Sequence, residues 1–200
     1  MNGTRATLAI VRREMDAPWL GRLGAAAFAG LGLGLLSSPG GALENHLLAA
    51  TAALWFAVGG ALRVDVRDGM YFAAPLYGRQ LARAHALVAL AGAFALPAGA
   101  VLGWAARGAP GNELGPGGFA WALFCAAAVA ALVALSATPR GGGARTGYAL
   151  LATGAGALTA LPALAGWHDG TAASACTALV IGFFGLRAFG ETLARFDPIG

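Results

Sequence analysis

Few side chains in this 200-residue chain can do chemistry, so their types and spacing are informative. Two histidines stand beside polar partners, in Glu44-Asn45-His46 and in His168-Asp169. Imidazole can ligate haem iron or another metal, yet a lone histidine at a helix end is more often solvated or a cap. Asp169, just ahead of Gly170-Thr171, has the character of an N-cap. Cys125 and Cys176 fall at similar depths in their apolar runs, where a thiol is ordinarily a small packing residue. No metal site or redox pair is expected from them. All 13 basic residues are arginine. A P-loop needs a lysine to reach the phosphates and Schiff-base chemistry needs a lysine amine, so both are excluded. Gly141-Gly142-Gly143 is therefore read as a plain loop. The apolar runs hold no paired histidines, no carboxylate–histidine set and no serine–lysine set. The expectation is a non-enzyme without a cofactor of its own.

The elements that must position these groups are membrane spans. The chain is 58% hydrophobic and only 11% charged, with a mean hydropathy of +0.68, against about a quarter charged in a soluble domain. That balance excludes a soluble enzyme and a disordered chain. The net charge of +4 is spread between apolar blocks, not gathered on one basic face, so no nucleic acid is expected as a partner. A bilayer core takes about 20 apolar residues per helix. Windows of that kind lie at Leu20–Leu36, Leu43–Leu62, Ala84–Trp104, Phe119–Ala137, Thr146–Gly166 and Thr171–Leu186. The sequence thus predicts an all-α membrane protein with six transmembrane helices over residues 20–190. Twelve arginines fall on one side of that topology and Arg107 alone on the other. Both termini are accordingly expected in the cytoplasm.

Residues 1–19 are not expected to be a cleavable leader, because Glu14 and Asp16 precede the apolar stretch and no small-residue cleavage site precedes the later spans. Leu8, Val11, Met15 and Trp19 share one side of a helical wheel, with Arg5, Arg12, Arg13 and Asp16 largely opposite, while Ile10 and Glu14 break the pattern. This reads as a short amphipathic helix lying at the cytoplasmic interface, its arginines toward anionic membrane lipid. Residues 191–200, with Glu191 and Asp197, read as a cytoplasmic tail. Between spans two and three, Arg63–Arg83 mixes charge with Tyr71, Phe72 and Tyr77, and is cut by Gly69, Pro75 and Gly78. Arginines with aromatics are what protein interfaces concentrate. The segment suits docking of a soluble partner, or folding back onto its own helix ends. Glycines cluster at Gly30, Gly32 and Gly34, at Gly99-x-x-x-Gly103 and at Gly182-x-x-Gly185, where helix backbones can approach closely in lipid. Packing within one chain is the default reading, and a dimer seam the alternative. Pro97 and Pro162 predict kinks near the outer helix ends.

With an interfacial helix, six spans and the run Arg63-x-Asp65-x-x-Asp68-Gly69 followed by Pro75 and Arg79, the chain resembles type-2 ABC transporter permeases. In that family the acidic-Gly element after the second span couples the permease to its ATPase. The resemblance implies a coupling interface at Arg63, Asp65, Asp68, Gly69, Tyr71, Pro75, Arg79 and Arg83. Arg140-Gly141-Gly142 and the proline-bearing span at Pro162 are similar to the haem-exporter permease of cytochrome c maturation. Met70-Tyr71-Phe72 departs from the family's usual small-acidic-Leu character.

What the resemblance implies is a permease subunit in a bacterial inner membrane, with a separate ATP-binding-cassette subunit and a second permease copy, identical or related. Such a machine moves by rigid-body rocking. Glu44, His46, His168 and Asp169 would then sit on the outer face, where cargo leaves. An anchoring or scaffolding subunit of a larger complex is the competing reading, and a haem-handling subunit of cytochrome c maturation a further one.

Overall fold

The apolar windows become helices, and most of the helices outrun their windows. A computed structural model of the chain describes residues 3–36, 43–62, 78–107, 115–136, 142–164 and 170–194. Those residues form seven helices with almost nothing else among them: α1 (Gly3–Glu14), α2 (Ala17–Leu36), α3 (Leu43–Leu62), α4 (Gly78–Ala106), α5 (Gly115–Leu135), α6 (Gly142–Leu164) and α7 (Gly170–Ala194). The stretches Ala17–Leu36, Ala82–Ala106 and Gly170–Glu191 are each long and apolar enough to cross a membrane.

Hydropathy finds the greasy centre of a helix, whereas caps and first-turn residues set its ends. Asp16 ends the run of α1 and starts α2: its carboxylate oxygen accepts a hydrogen bond from the Trp19 backbone N–H at 2.9 Å, which is N-capping geometry. Trp19 therefore belongs to the first turn of α2 and not to the amphipathic helix. Gly142 and Gly143, expected in a loop, lie instead in the first turn of α6, where backbone N–H groups need no intrahelical acceptor. At the other end of the chain, α7 runs on through Ala194, so residues 191–194 are helix and not tail. Both α4 and α6 pass through Pro97 and Pro162 without a break in the helix.

The buried interior is built of small residues and the outside of large ones. Alanine dominates the core, while Phe28, Leu36, Trp55, Leu102, Leu150, Leu179 and Phe183 all stand more than 60% exposed. A water-soluble protein so covered in apolar side chains would aggregate. In lipid this is the favourable arrangement, since small residues let helices close on one another and lipid covers the rest. Three threonine hydroxyls within the helices are satisfied along their own helix. The side chains of Thr153, Thr159 and Thr177 donate to the carbonyls of Ala149, Ala155 and Ala173, each at 2.8 Å. An unpaired hydroxyl in hydrocarbon would cost several kcal/mol, roughly, on the scale of transfer to an apolar phase.

Helix α5 is the hub. It packs against α3, α4, α6 and α7, and Ala122, Leu123, Ala126, Ala127, Val129, Ala130, Ala131, Ala134 and Leu135 are all buried on it. A helix so apolar on every side is a core helix. By contrast α2 stands at the periphery and closes almost entirely on α4. A methyl group at Gly30 would overlap the Leu96 carbonyl oxygen, one at Gly34 that of Ala100, and one at Gly99 that of Ala27. At Gly103 it would meet the Leu31 carbonyl oxygen at 2.5 Å. Residue numbers rise together along both helices, so α2 and α4 run parallel, backbone against backbone. The glycine pairs thus pack one chain, which is the default their spacing suggested.

Candidate functional site

The candidate site is the end of the bundle where α4 begins. The register of the glycine seam sets Ala17, the first residue of α2, near the level of His85. Helix α4 starts at Gly78, so it overhangs α2 by about eight residues, or ~12 Å at 1.5 Å per residue. Arg79 stands in the first turn of that overhang and Arg83 one turn further on, exposed. The rest of the expected coupling interface, Arg63, Asp65, Asp68, Gly69, Tyr71 and Pro75, lies outside the described residues. That segment nevertheless enters the bundle through α4, because Gly78 follows directly on residue 77.

Two neighbours tie the overhang down. Helix α1 packs on α4, through a face that shares Val11 with the one the helical wheel picks out but is rotated away from Leu8. Ile10 is buried in the same cluster as Ala82 and Ala86, with Val11 packed beside it, while Leu8 is 59% exposed. Thr7, Ile10, Val11 and Glu14 are the less exposed residues, spaced i, i+3, i+4, i+7. Ile10 and Glu14, which broke the apolar pattern, belong to the packed face. Arg5, Arg12 and Arg13 remain exposed on α1, as the amphipathic reading expects. The second neighbour is the end of α7. Phe189 is fully buried and meets His85 edge-on, with ring centroids 6.4 Å apart.

His85 is the residue that spacing did not single out. It sits in Ala84-His85-Ala86 within an apolar helix and is completely buried. The available signal was an imidazole inside a span window, which is costly in a membrane and so worth explaining. Also fully buried is Ser174 in α7, whose hydroxyl oxygen has no hydrogen-bond partner among the described residues.

At the opposite end, Glu44 and His46 occupy the first turn of α3 as backbone positions. His168 and Asp169, and with them the expected N-cap, lie outside the described residues. The two cysteines are free thiols in different surroundings: Cys125 is buried in the hub helix and Cys176 is exposed on α7. Similar depth did not bring them together. Among the described residues no three of His, Cys, Asp and Glu gather as a metal site would need.

A segment rich in arginine and aromatics leads into one long helix, and two further helices are fastened to that helix. No protein-family model, curated protein or solved structure matches the chain. The functional reading therefore rests on the residues and on this geometry.

Proposed function

We propose that the chain is the membrane-spanning permease subunit of an ATP-driven exporter of the type-2 ABC kind. It would form the pathway as a dimer and couple to a separate ATPase through residues 63–83. In this reading α2 to α7 are six spans with both chain termini in the cytoplasm, as twelve of 13 arginines favour. Helix α1 then lies at the cytoplasmic interface, with Arg5, Arg12 and Arg13 toward anionic lipid headgroups.

One observation carries the reading: α4, which directly follows the Asp-Gly and proline segment, is the helix onto which α1 and α2 are fastened. Carbonyl oxygens abut glycines along the seam, so α2 has no room to slide independently of α4. A displacement applied by a partner at residues 63–77 would move α4, α2 and α1 together. Such transmission is what coupling of nucleotide binding to alternating access requires.

Co-purification tests this. The full chain, isolated in mild detergent from its native membrane, should bring with it a P-loop ATPase. The paired changes Asp68→Asn and Arg79→Gln should lower the recovered ATPase about tenfold or more, as removal of one partner from a docked charge pair does. Thermal unfolding of the bundle should be unchanged. A complex lacking any ATPase would make the chain an anchoring subunit. Undiminished ATPase recovery with both changes would remove the coupling role from this segment.

A further inference from the structure

Helix α2 meets α4 without a gap and meets α3 barely at all. Between α2 and α3, with Gly92 of α4 as the floor, lies a cleft of about 320 Å³. Its walls are Trp19, Leu23 and Ala26 from α2, and Trp55, Phe56, Gly59 and Gly60 from α3. Three glycines make the cleft: a Cβ at Gly59, Gly60 or Gly92 would meet nothing within 4 Å. The walls are otherwise hydrocarbon and indole, and apolar cavities of this kind stay dry unless an apolar guest enters.

Among the described residues one charged side chain lines the cleft, and it is a cation. Arg22 is exposed on α2, about 8 Å from the start of the helix at 1.5 Å per residue. It makes no ion pair with any described residue. Among the described residues no carboxylate lines the cleft. The acid nearest in sequence, Asp16, caps the helix by accepting the Trp19 N–H. An arginine at this depth is costly unless an anion meets it, and the guanidinium fork fits phosphate with two parallel hydrogen bonds. Tryptophans beside it are what the boundary between hydrocarbon and headgroups favours. A slot for one hydrocarbon chain, open to the side and carrying a phosphate-binding group at its polar end, has the chemistry of a lipid site.

We propose that this cleft holds one acyl chain of an anionic phospholipid from the surrounding leaflet, with the lipid phosphate on Arg22. The guest completes the contact that α2 and α3 do not make with each other. A net-anionic headgroup is preferred over a zwitterionic one, because the described lining offers one positive charge and no acid to receive an ammonium. The inference requires only that the chain sits in a membrane, so it stands apart from the export reading.

Native mass spectrometry of the full chain, titrated in detergent with phosphatidylglycerol or with phosphatidylcholine, tests it. The unaltered protein should retain one phosphatidylglycerol about tenfold more tightly than phosphatidylcholine, the scale of one charge-assisted contact. Arg22→Gln should abolish that preference and Arg22→Lys should restore most of it. Gly92→Leu, whose Cβ would meet nothing within 4 Å and whose side chain fills the floor, should remove the tightly held lipid of either kind. If that variant fails to fold, Gly60→Leu fills the same space from α3. Equal retention of the two lipids overturns the proposal. So does an Arg22→Gln protein that keeps its preference, or a filled cleft that still holds its lipid. None of these readings involves an ATPase, so failure here and failure of the export reading are separate results.

Discussion

Helix α2 has two flanks, and glycine does opposite things on them. Against α4, Gly30, Gly34, Gly99 and Gly103 are glycine because a carbonyl oxygen occupies the place of any side chain. Toward α3, Gly59, Gly60 and Gly92 are glycine with empty space in front of them. The first set makes a contact and the second withholds one. In a membrane, where burial from water drives nothing between helices, close packing is much of what holds a bundle together. A glycine that packs and a glycine that merely leaves room therefore have different energetic consequences. The first flank is structural; the second is where a guest fits.

The largest effect expected from this contrast lies in the seam. Replacing Gly99 with Val would set a branched Cβ onto the Ala27 carbonyl, which belongs to the helix backbone and cannot rotate away. Overpacking commonly costs 1–3 kcal/mol, roughly, and here the only relief is to part α2 from α4, so about 3 kcal/mol or more is expected. Thermal denaturation in detergent, followed by circular dichroism, should show a variant that melts far below the parent or does not accumulate. A Gly99→Val protein melting with the parent would mean that α2 and α4 are not locked, and the rigid lever would go with the lock.

How far the sequence foretold this differs from residue to residue. Helices were legible because apolar runs of about 20 residues have few other solutions. Helix ends were less so: Asp16 and the first-turn glycines of α6 lie outside any hydropathy window, and Glu191 continues α7 through an ion pair with Arg187 at 2.9 Å. On α1 the wheel and the packed face share Val11 but diverge elsewhere, because a wheel ranks side chains by greasiness. Ile10 is buried by the position of α4, while Leu8, equally greasy, is left to the surroundings. The GxxxG pairs were visible as spacing, yet spacing cannot say that Gly59-Gly60 faces a void and Gly30 faces a carbonyl. That distinction depends on which helices become neighbours. Of the site, Arg79 and Arg83 fall on the overhang of α4, whereas Arg22 registered only as a charge that orients the chain.

An intermediate case sharpens the comparison. A Cβ added at Gly156 of α6 would overlap the end of the Leu54 side chain and lie 2.9 Å from the Ala126 carbonyl oxygen and 3.2 Å from the Ala130 Cβ. A side-chain methyl can swing aside where a carbonyl cannot, so Gly156→Ala should cost about 1–2 kcal/mol. The cost should fall when Leu54 is also shortened to Ala, because the flexible obstacle is then gone. A double-mutant cycle measures that coupling. Strict additivity would show that the Ala126 carbonyl, and not Leu54, sets the limit at Gly156.

The smallest effect expected has the opposite sign. Gly59→Ala on the open flank adds a methyl that touches nothing within 4 Å and removes the conformational freedom glycine carries into the unfolded chain. Alanine is favoured over glycine within a helix by about 0.8–1.0 kcal/mol. The variant should therefore melt slightly above the parent. A single methyl leaves most of the cleft open, so retention of phosphatidylglycerol should be unchanged, in contrast to Gly92→Leu. Destabilisation by Gly59→Ala would mean that α2 and α3 close on each other in solution. The open flank would then be a second seam, with no room left for a lipid.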